Sequence, residues 1–183
     1  MEKQDEIQFG TLKQFGKIIR PAVVKKFDCG DDFLNSFAQK IKKLDESNAI
    51  RAIVAVKGNH LCGYITMKVG NLAKDSFQDK SFGSMPLEVP VMMIDQIATS
   101  LPEQGKGIGR TLLSQAFRSA LIIKENAGLK GVALWSHPNA VSFYQKLGLI
   151  PLTTKVSNSV KLTLMFIAIE TIEDALSVQQ AIA

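Results

Sequence analysis

One stretch limits what this chain can be more than any other. Gln104-Gly105-Lys106-Gly107-Ile108-Gly109-Arg110 sits between an apolar run at residues 91–98 and a helical pattern that opens at Thr111. Three glycines at alternate positions let a backbone pass close to a ligand. A helix after them presents unpaired N–H groups and the positive end of its dipole. A pyrophosphate asks for both. Lys106 and Arg110 add charge to the amides. For a single glycine, a turn that needs glycine for geometry alone is the plainer reading; three in register favour an anion site.

What is missing narrows the anion. A P-loop needs G-x-x-x-x-G-K-S/T, but Lys106 is followed by Gly107, and no Ser or Thr stands ready for magnesium. A dinucleotide fold places G-x-G-x-x-G after its first strand with an acidic residue about 20 residues on. Here the glycines run G-x-G-x-G and come after half the chain. The spacing that fits is Q/R-x-x-G-x-G/A, met by Gln104, Gly107 and Gly109.

The following segment carries a second signature. Leu112, Leu113, Ala116, Phe117, Ala120 and Leu121 recur at helical spacing, so an amphipathic helix is expected from the loop to about Ala127, with Gly128 as its cap. Residues 131–135 read as a buried strand and residues 136–148 as a short helix. In it Ala140, Tyr144, Gly148 and Leu149 form an alanine, a tyrosine four residues on, a helix-ending glycine and an apolar residue. With these two signatures roughly forty residues apart, the chain resembles the GNAT superfamily of N-acetyltransferases.

The resemblance implies a mixed, mostly antiparallel sheet flanked by helices on both faces, with acetyl-coenzyme A as co-substrate. Gln104, Gly105, Lys106, Gly107, Ile108, Gly109 and Arg110 would hold its pyrophosphate. The strand before the loop would splay from its neighbour, placing Ile97, Ala98 and Thr99 where the coenzyme enters. A backbone N–H near Ala98 or Thr99 would polarise the thioester carbonyl, and Tyr144 would protonate the departing thiolate. The alternative for Tyr144 is an aromatic packed on its helix with the hydroxyl satisfied elsewhere, and Phe143 beside it reads as core.

The residues themselves order the rest as an α/β (α+β) chain. A strand is expected near residues 7–12 and a helix at 31–44, capped by Asp31, with Leu34, Phe37, Ile41 and Leu44 on one face. Strands follow at 51–56, 61–69 and 91–98, then the loop–helix unit, and a last strand at 161–168. Residues 68–90, rich in Gly, Lys, Asp and Ser, read as a long loop. At 183 residues and 46% hydrophobic content, one domain over residues 1–183 is expected.

A general base is harder to find. Asp95 and Gln96 interrupt an apolar strand, where a carboxylate needs a partner or a cleft, and a structural Asp95 is the favoured reading. Glu103 reads as a solvated loop residue and His137, before Pro138, as a helix start. Cys29 and Cys62 form no disulfide framework, and His60 and His137 have no zinc spacing, so no metal is expected. The first residues lack the apolar core of a signal peptide and no stretch reaches the length of a membrane span, so a cytoplasmic protein is expected.

A narrower likeness spans most of the chain. Residues 27–37 look like the F-x-C-G-x-x-x-L-N-x-F/W entrance of a GNAT subgroup prominent among toxins of bacterial toxin–antitoxin pairs. It continues through residues 51–56, Gly63-Tyr64-Ile65-Thr66, Phe143-Tyr144 and Leu162-Thr163-Leu164-Met165. The subgroup acetylates the α-amine of amino acids carried on tRNA, and the likeness implies aminoacyl-tRNA as acceptor, an antitoxin partner and a homodimer. Esterification depresses the amine pKa, so such a reaction tolerates the lack of a base. The chain departs at residues 95–99, where Asp-Gln-Ile-Ala-Thr stands for the usual Gly-Arg-Leu-Ala-Val, at His137, where many members have Asn, and at Leu149, which replaces a common Phe.

Charge is compatible with RNA. Lys and Arg number 22 against 17 Asp and Glu, a net charge of +5. Lys13, Lys17, Arg20, Lys25 and Lys26, then Lys40, Lys42 and Lys43, form two basic runs, but Asp28, Asp31, Asp32, Asp45 and Glu46 intervene, and a solvated surface is the favoured reading. Two other functions remain open: acetylation of a small amine, polyamine or protein amine, and a silent module that binds acetyl-coenzyme A without turnover.

Overall fold

Continuous apolar runs flanked by turn residues become strands, and the 3.6-residue pattern after the glycines becomes the longest helix. The computed structural model describes residues 6–78, 80 and 82–182, with side chains described through residue 177. Residues 1–5, read as lacking an apolar leader, lie outside the described residues. The strands are β1 (Gln8–Thr11), β2 (Arg51–Lys57), β3 (His60–Ala73), β4 (Glu88–Thr99), β5 (Gly131–Ser136), β6 (Ile150–Ser157) and β7 (Val160–Ala168). The helices are α1 (Leu12–Phe15), α2 (Pro21–Val24), α3 (Asp32–Ala38), α4 (Ile41–Glu46), α5 (Ile108–Asn126), α6 (Val141–Gln145) and α7 (Ile169–Ile182).

The strands form one seven-stranded sheet in the order β1-β2-β3-β4-β5-β7-β6. Pairs β1–β2, β2–β3, β5–β7 and β6–β7 are antiparallel, and β4–β5 is parallel. This is the mixed, mostly antiparallel α/β architecture the sequence led us to expect. The chain divides into two compact units, one of Met1–Lys68 with Asp95–Ala116 and the other of Val69–Ile94 with Phe117–Ala183.

In the first unit Val54, Val56, Tyr64, Ile41 and Phe27 are buried in one cluster. The Tyr64 ring lies 5.5 Å from Phe27 and 6.3 Å from Phe37, and its hydroxyl donates to the Leu34 carbonyl at 2.8 Å. The helix expected at residues 31–44 is two helices. Lys40 N–H donates to the Phe37 carbonyl at 2.9 Å, a tighter three-residue step that separates α3 from α4. Leu34, Phe37, Ile41 and Leu44 still pack on this core, and the Asp31 side chain caps α3 by accepting from Leu34 N–H at 2.9 Å.

In the second unit the expected long loop is largely structured. β3 runs on to Ala73, a 3-10 turn covers Lys74–Phe77, and β4 begins at Glu88. Polar composition hid the reason: Phe77 is fully buried, edge-on to Phe166 at 5.0 Å, and Phe82 closes the trio. β6 and α7 went unanticipated. Asn158 and Ser159, both left-handed at φ 47° and 64°, close the β6–β7 hairpin, a turn in which Asn tolerates positive φ. Gly128 has no left-handed φ, so it is not the cap expected of it, whereas Gly148 ends the α6 segment at φ 90° as anticipated.

Candidate coenzyme cradle and phenol

The glycine loop is built as an open cradle. Gly105 and Gly107 adopt φ of 76° and 82°, a region L side chains rarely occupy, and a Cβ on either would meet no atom within 4 Å. α5 begins at Ile108 rather than at Thr111, because Thr111 N–H already donates to the Gly107 carbonyl at 3.0 Å. The N–H groups of Ile108, Gly109 and Arg110 therefore precede the first bond of the helical ladder and belong to the positive end of a 19-residue helix. Open space above left-handed glycines, unpaired helix N–H groups and an exposed Arg110 without an ion pair among the described residues fit a pyrophosphate. Lys106 contributes less charge than its position suggested, since its Nζ lies 3.2 Å from Glu103 Oε2.

Close packing positions this loop. A Cβ on Gly63 of β3 would fall 2.8 Å from the Ala98 carbonyl oxygen, 3.1 Å from Ile108 Cγ2 and 3.3 Å from Leu112 Cδ1. Only glycine lets β3, the end of β4 and the start of α5 approach so closely. Gly63→Ala should therefore destabilise the protein by about 2 kcal/mol, because the nearest obstacle is backbone and cannot rotate away. Urea unfolding checks this, and an unchanged midpoint would show that the strands relax freely.

Ahead of the loop, Gly30 sits at φ 83° and the turn around it is tied down. Asp28 Oδ1 accepts from Gly30 N–H at 2.9 Å and from Asn35 Nδ2 at 3.0 Å, and these bonds hold its carboxyl below the usual range. Cys29 N–H and Sγ both donate to Asn35 Oδ1, at 2.9 and 3.2 Å. Burial raises the thiol pKa of Cys29 and of Cys62, so neither is activated as a nucleophile. Gln104 turns inward on this turn rather than outward: its Nε2 donates to the carbonyls of Cys29 and Thr99, each at 3.0 Å.

Both candidate carboxylates are paired. Asp95 pairs with Lys68 at 2.8 Å, the structural reading of it, while Glu103, half-buried rather than fully solvated, pairs with Lys106. His137 accepts from Asn139 N–H through Nδ1 at 3.4 Å and caps a 3-10 turn at Pro138–Ala140. Among the described residues no group of three or more His, Cys, Asp or Glu side chains is placed to hold a metal ion, and no helix is long and apolar enough to cross a membrane.

Tyr144 belongs to the second unit, on α6. It is 6% exposed, and burial pushes its phenol up to about 12, so it stays protonated at neutral pH. Its hydroxyl has no hydrogen bond among the described residues, and no fully buried polar side-chain atom there lacks a partner, so the hydroxyl reaches the surface while the ring is packed. Phe143, read as core, is 37% exposed, its ring 5.1 Å from that of Tyr144.

In the first unit a groove between α2 and α3 brings the two basic runs together, with Lys25 and Lys42 over Ile19, Val24 and Ala38. No acidic side chain lines it, and neither lysine forms an ion pair among the described residues.

Comparison with known proteins decides the family. Residues 21–149 match the Acetyltransferase (GNAT) family. The chain belongs to that family. This GNAT protein is an acetyl-coenzyme A-dependent N-acetyltransferase. It is 24% identical over 123 residues to the tRNA-acetylating toxin of Mycobacterium tuberculosis (strain ATCC 25618 / H37Rv), covering 66% of this chain and 74% of that one. The GNAT fold here superposes on the crystal structure of a bacterial toxin with TM-score 0.83, 24% identity and 94% and 96% of the two chains covered. It superposes on AtaT complexed with acetyl-methionyl-tRNAfMet with TM-score 0.77, 21% identity and 93% and 99% covered. AtaT is also known as a Y144F mutant bound to the C-terminus of the antitoxin AtaR and acetyl-CoA, with TM-score 0.72, 20% identity and 94% and 99% covered.

Proposed function

We propose that this GNAT protein acetylates the α-amine of an amino acid esterified to tRNA, as the toxin of a toxin–antitoxin pair in the cytoplasm. The observation that carries the reading is the pairing of both carboxylates that could serve as a base, Asp95 with Lys68 and Glu103 with Lys106. An ordinary alkyl amine is protonated at neutral pH and needs a base before it can attack; the α-amine of an ester is far less basic and does not. The likeness to a tRNA-acetylating toxin and the groove under Lys25 and Lys42 support a nucleic-acid acceptor. The family match crosses both compact units, which supports one acetyltransferase domain over residues 1–183.

The residues take these roles. Gly105, Lys106, Gly107, Ile108, Gly109 and Arg110 hold the pyrophosphate through backbone N–H groups and the Arg110 charge, with Gln104 setting the loop. Ile97, Ala98 and Thr99 line the path of the acyl arm, and an N–H at Ala98 or Thr99 donates to the carbonyl oxygen as negative charge develops there. Acetyl-coenzyme A supplies the activated thioester. Tyr144 donates its phenolic proton to the sulfur as the C–S bond breaks, and the proton shed by the newly acylated nitrogen restores the phenol through solvent.

Label transfer from radioactive acetyl-coenzyme A to a bulk aminoacyl-tRNA pool tests the reading. Label should appear on charged tRNA and not on deacylated tRNA. Label on polyamines or proteins instead, with charged tRNA unlabelled, would overturn the acceptor.

A further inference from the structure

We infer that Gln104 and Asn35 are positioning residues that link the coenzyme loop to the turn at residues 28–30, so that loading the coenzyme orders that turn and the start of α3. The inference rests on the coenzyme reading of the loop. It does not depend on which amine is acetylated.

The Gln104 amide has two N–H donors, and both are in use, one on the Cys29 carbonyl and one on the Thr99 carbonyl, each at 3.0 Å. Its remaining polar atom is an acceptor, which repels an anion. A Gln104 side chain in this position therefore does not donate to a phosphate; it holds the residue before Gly105 to the last residue of β4 and to the middle of the Cys29 turn. A second bond follows the same route, from Leu101 N–H to the Asp28 carbonyl at 2.8 Å.

From the turn the route continues into α3. Asn35 accepts from both Cys29 N–H and Cys29 Sγ on Oδ1, and its Nδ2 donates to Asp28 Oδ1, which also accepts from Gly30 N–H. One amide thus orients both polar groups of Cys29 and clamps Asp28. Gly30 is pressed to the same place from the other side, since a Cβ there would lie 3.3 Å from Leu101 Cδ2. Cys29 is shared by both amides, so a shift of either moves the carbonyl or the N–H of a single residue. The exposed Phe33, 63% accessible, sits on α3 two residues before Asn35.

Hydrogen–deuterium exchange of the full chain with and without acetyl-coenzyme A tests the link, using the parent, Gln104→Met and Asn35→Leu. In the parent, acetyl-coenzyme A should slow exchange in residues 104–110 and also in residues 28–35. In Gln104→Met, which keeps the length of the side chain and removes its donors, protection should be confined to residues 104–110. Asn35→Leu should lose the response at residues 28–30, and Gln104→Asn, too short to reach both carbonyls, should not restore it. Calorimetry should show that Gln104→Met still binds coenzyme A at the concentration used, so that a lost response at residues 28–35 is not a lost ligand. A parent in which residues 28–35 ignore acetyl-coenzyme A overturns the link, as does a tenfold loss of coenzyme A affinity in Gln104→Met with the response at residues 28–35 preserved. No protection at residues 104–110 either would instead overturn the coenzyme reading of the loop, and this inference with it.

Discussion

Tyr144→Phe lowers kcat by about 10²–10⁴-fold, the range that a general acid contributes, and leaves acetyl-coenzyme A affinity within about twofold. The ring is 6% exposed and packs beside Phe143, so removing one oxygen leaves the packing intact. The proton it removes is one that is present throughout the working pH range. Burial raises the phenol to about 12, above the ordinary value near 10, so the acid form persists to high pH. The pH–rate profile of the parent should therefore show no alkaline limb from this group below about pH 11, and the variant should show the same shape at reduced height. The sign for stability follows: the folded state holds this proton more tightly than the unfolded state, so the phenol's contribution falls as pH rises from about 10 to about 12. Steady-state kinetics of acetyl transfer decide the matter. A kcat within about threefold of the parent would make Tyr144 a packing residue.

Gly107→Val raises the dissociation constant for acetyl-coenzyme A by about 100-fold or more. At φ 82° a β-branched residue is strained by about 1–2 kcal/mol, which the loop relieves by moving away from the geometry that aims its N–H groups. Its side chain also fills the open space above the loop, where a Cβ meets no protein atom within 4 Å. Together these effects reach the roughly 2.7 kcal/mol that a 100-fold change requires. Gly83→Val is the control: it has φ 71° and open space as well, yet lies outside the loop. It should carry a similar backbone strain and leave coenzyme affinity unchanged. Equal affinity losses in the two variants would mean that unfolding, not the cradle, is being measured.

The local geometry of the candidate site was legible because it is set over a few residues. Gly105 and Gly107 are left-handed as a phosphate-cradling turn requires, and Gly148 ends its helix in the same way. Asp31 caps α3 as its place before an apolar repeat suggested. The long-loop reading of residues 68–90 was too wide at both ends for a physical reason: composition reports average polarity, whereas Leu72, Phe77 and Val89 are single apolar residues whose burial follows from what β7 places opposite them. The same holds for helix 31–44, where apolar spacing identified the buried face and a single three-residue hydrogen bond divided the helix.

The amino-acid sequence alone determined the glycine turn, the helix that follows it, the capped α3 and the position of a tyrosine four residues after Ala140, because backbone freedom, capping and helical spacing act over a few residues. Tertiary structure alone decided what Gln104 and Asp95 do. Gln104 bonds a carbonyl 75 residues away and Asp95 pairs with a lysine 27 residues away, partners that come within reach only after the strands and the turn have assembled. A polar side chain's role depends on which donors and acceptors surround it, and in a sheet those neighbours are set by register between distant segments.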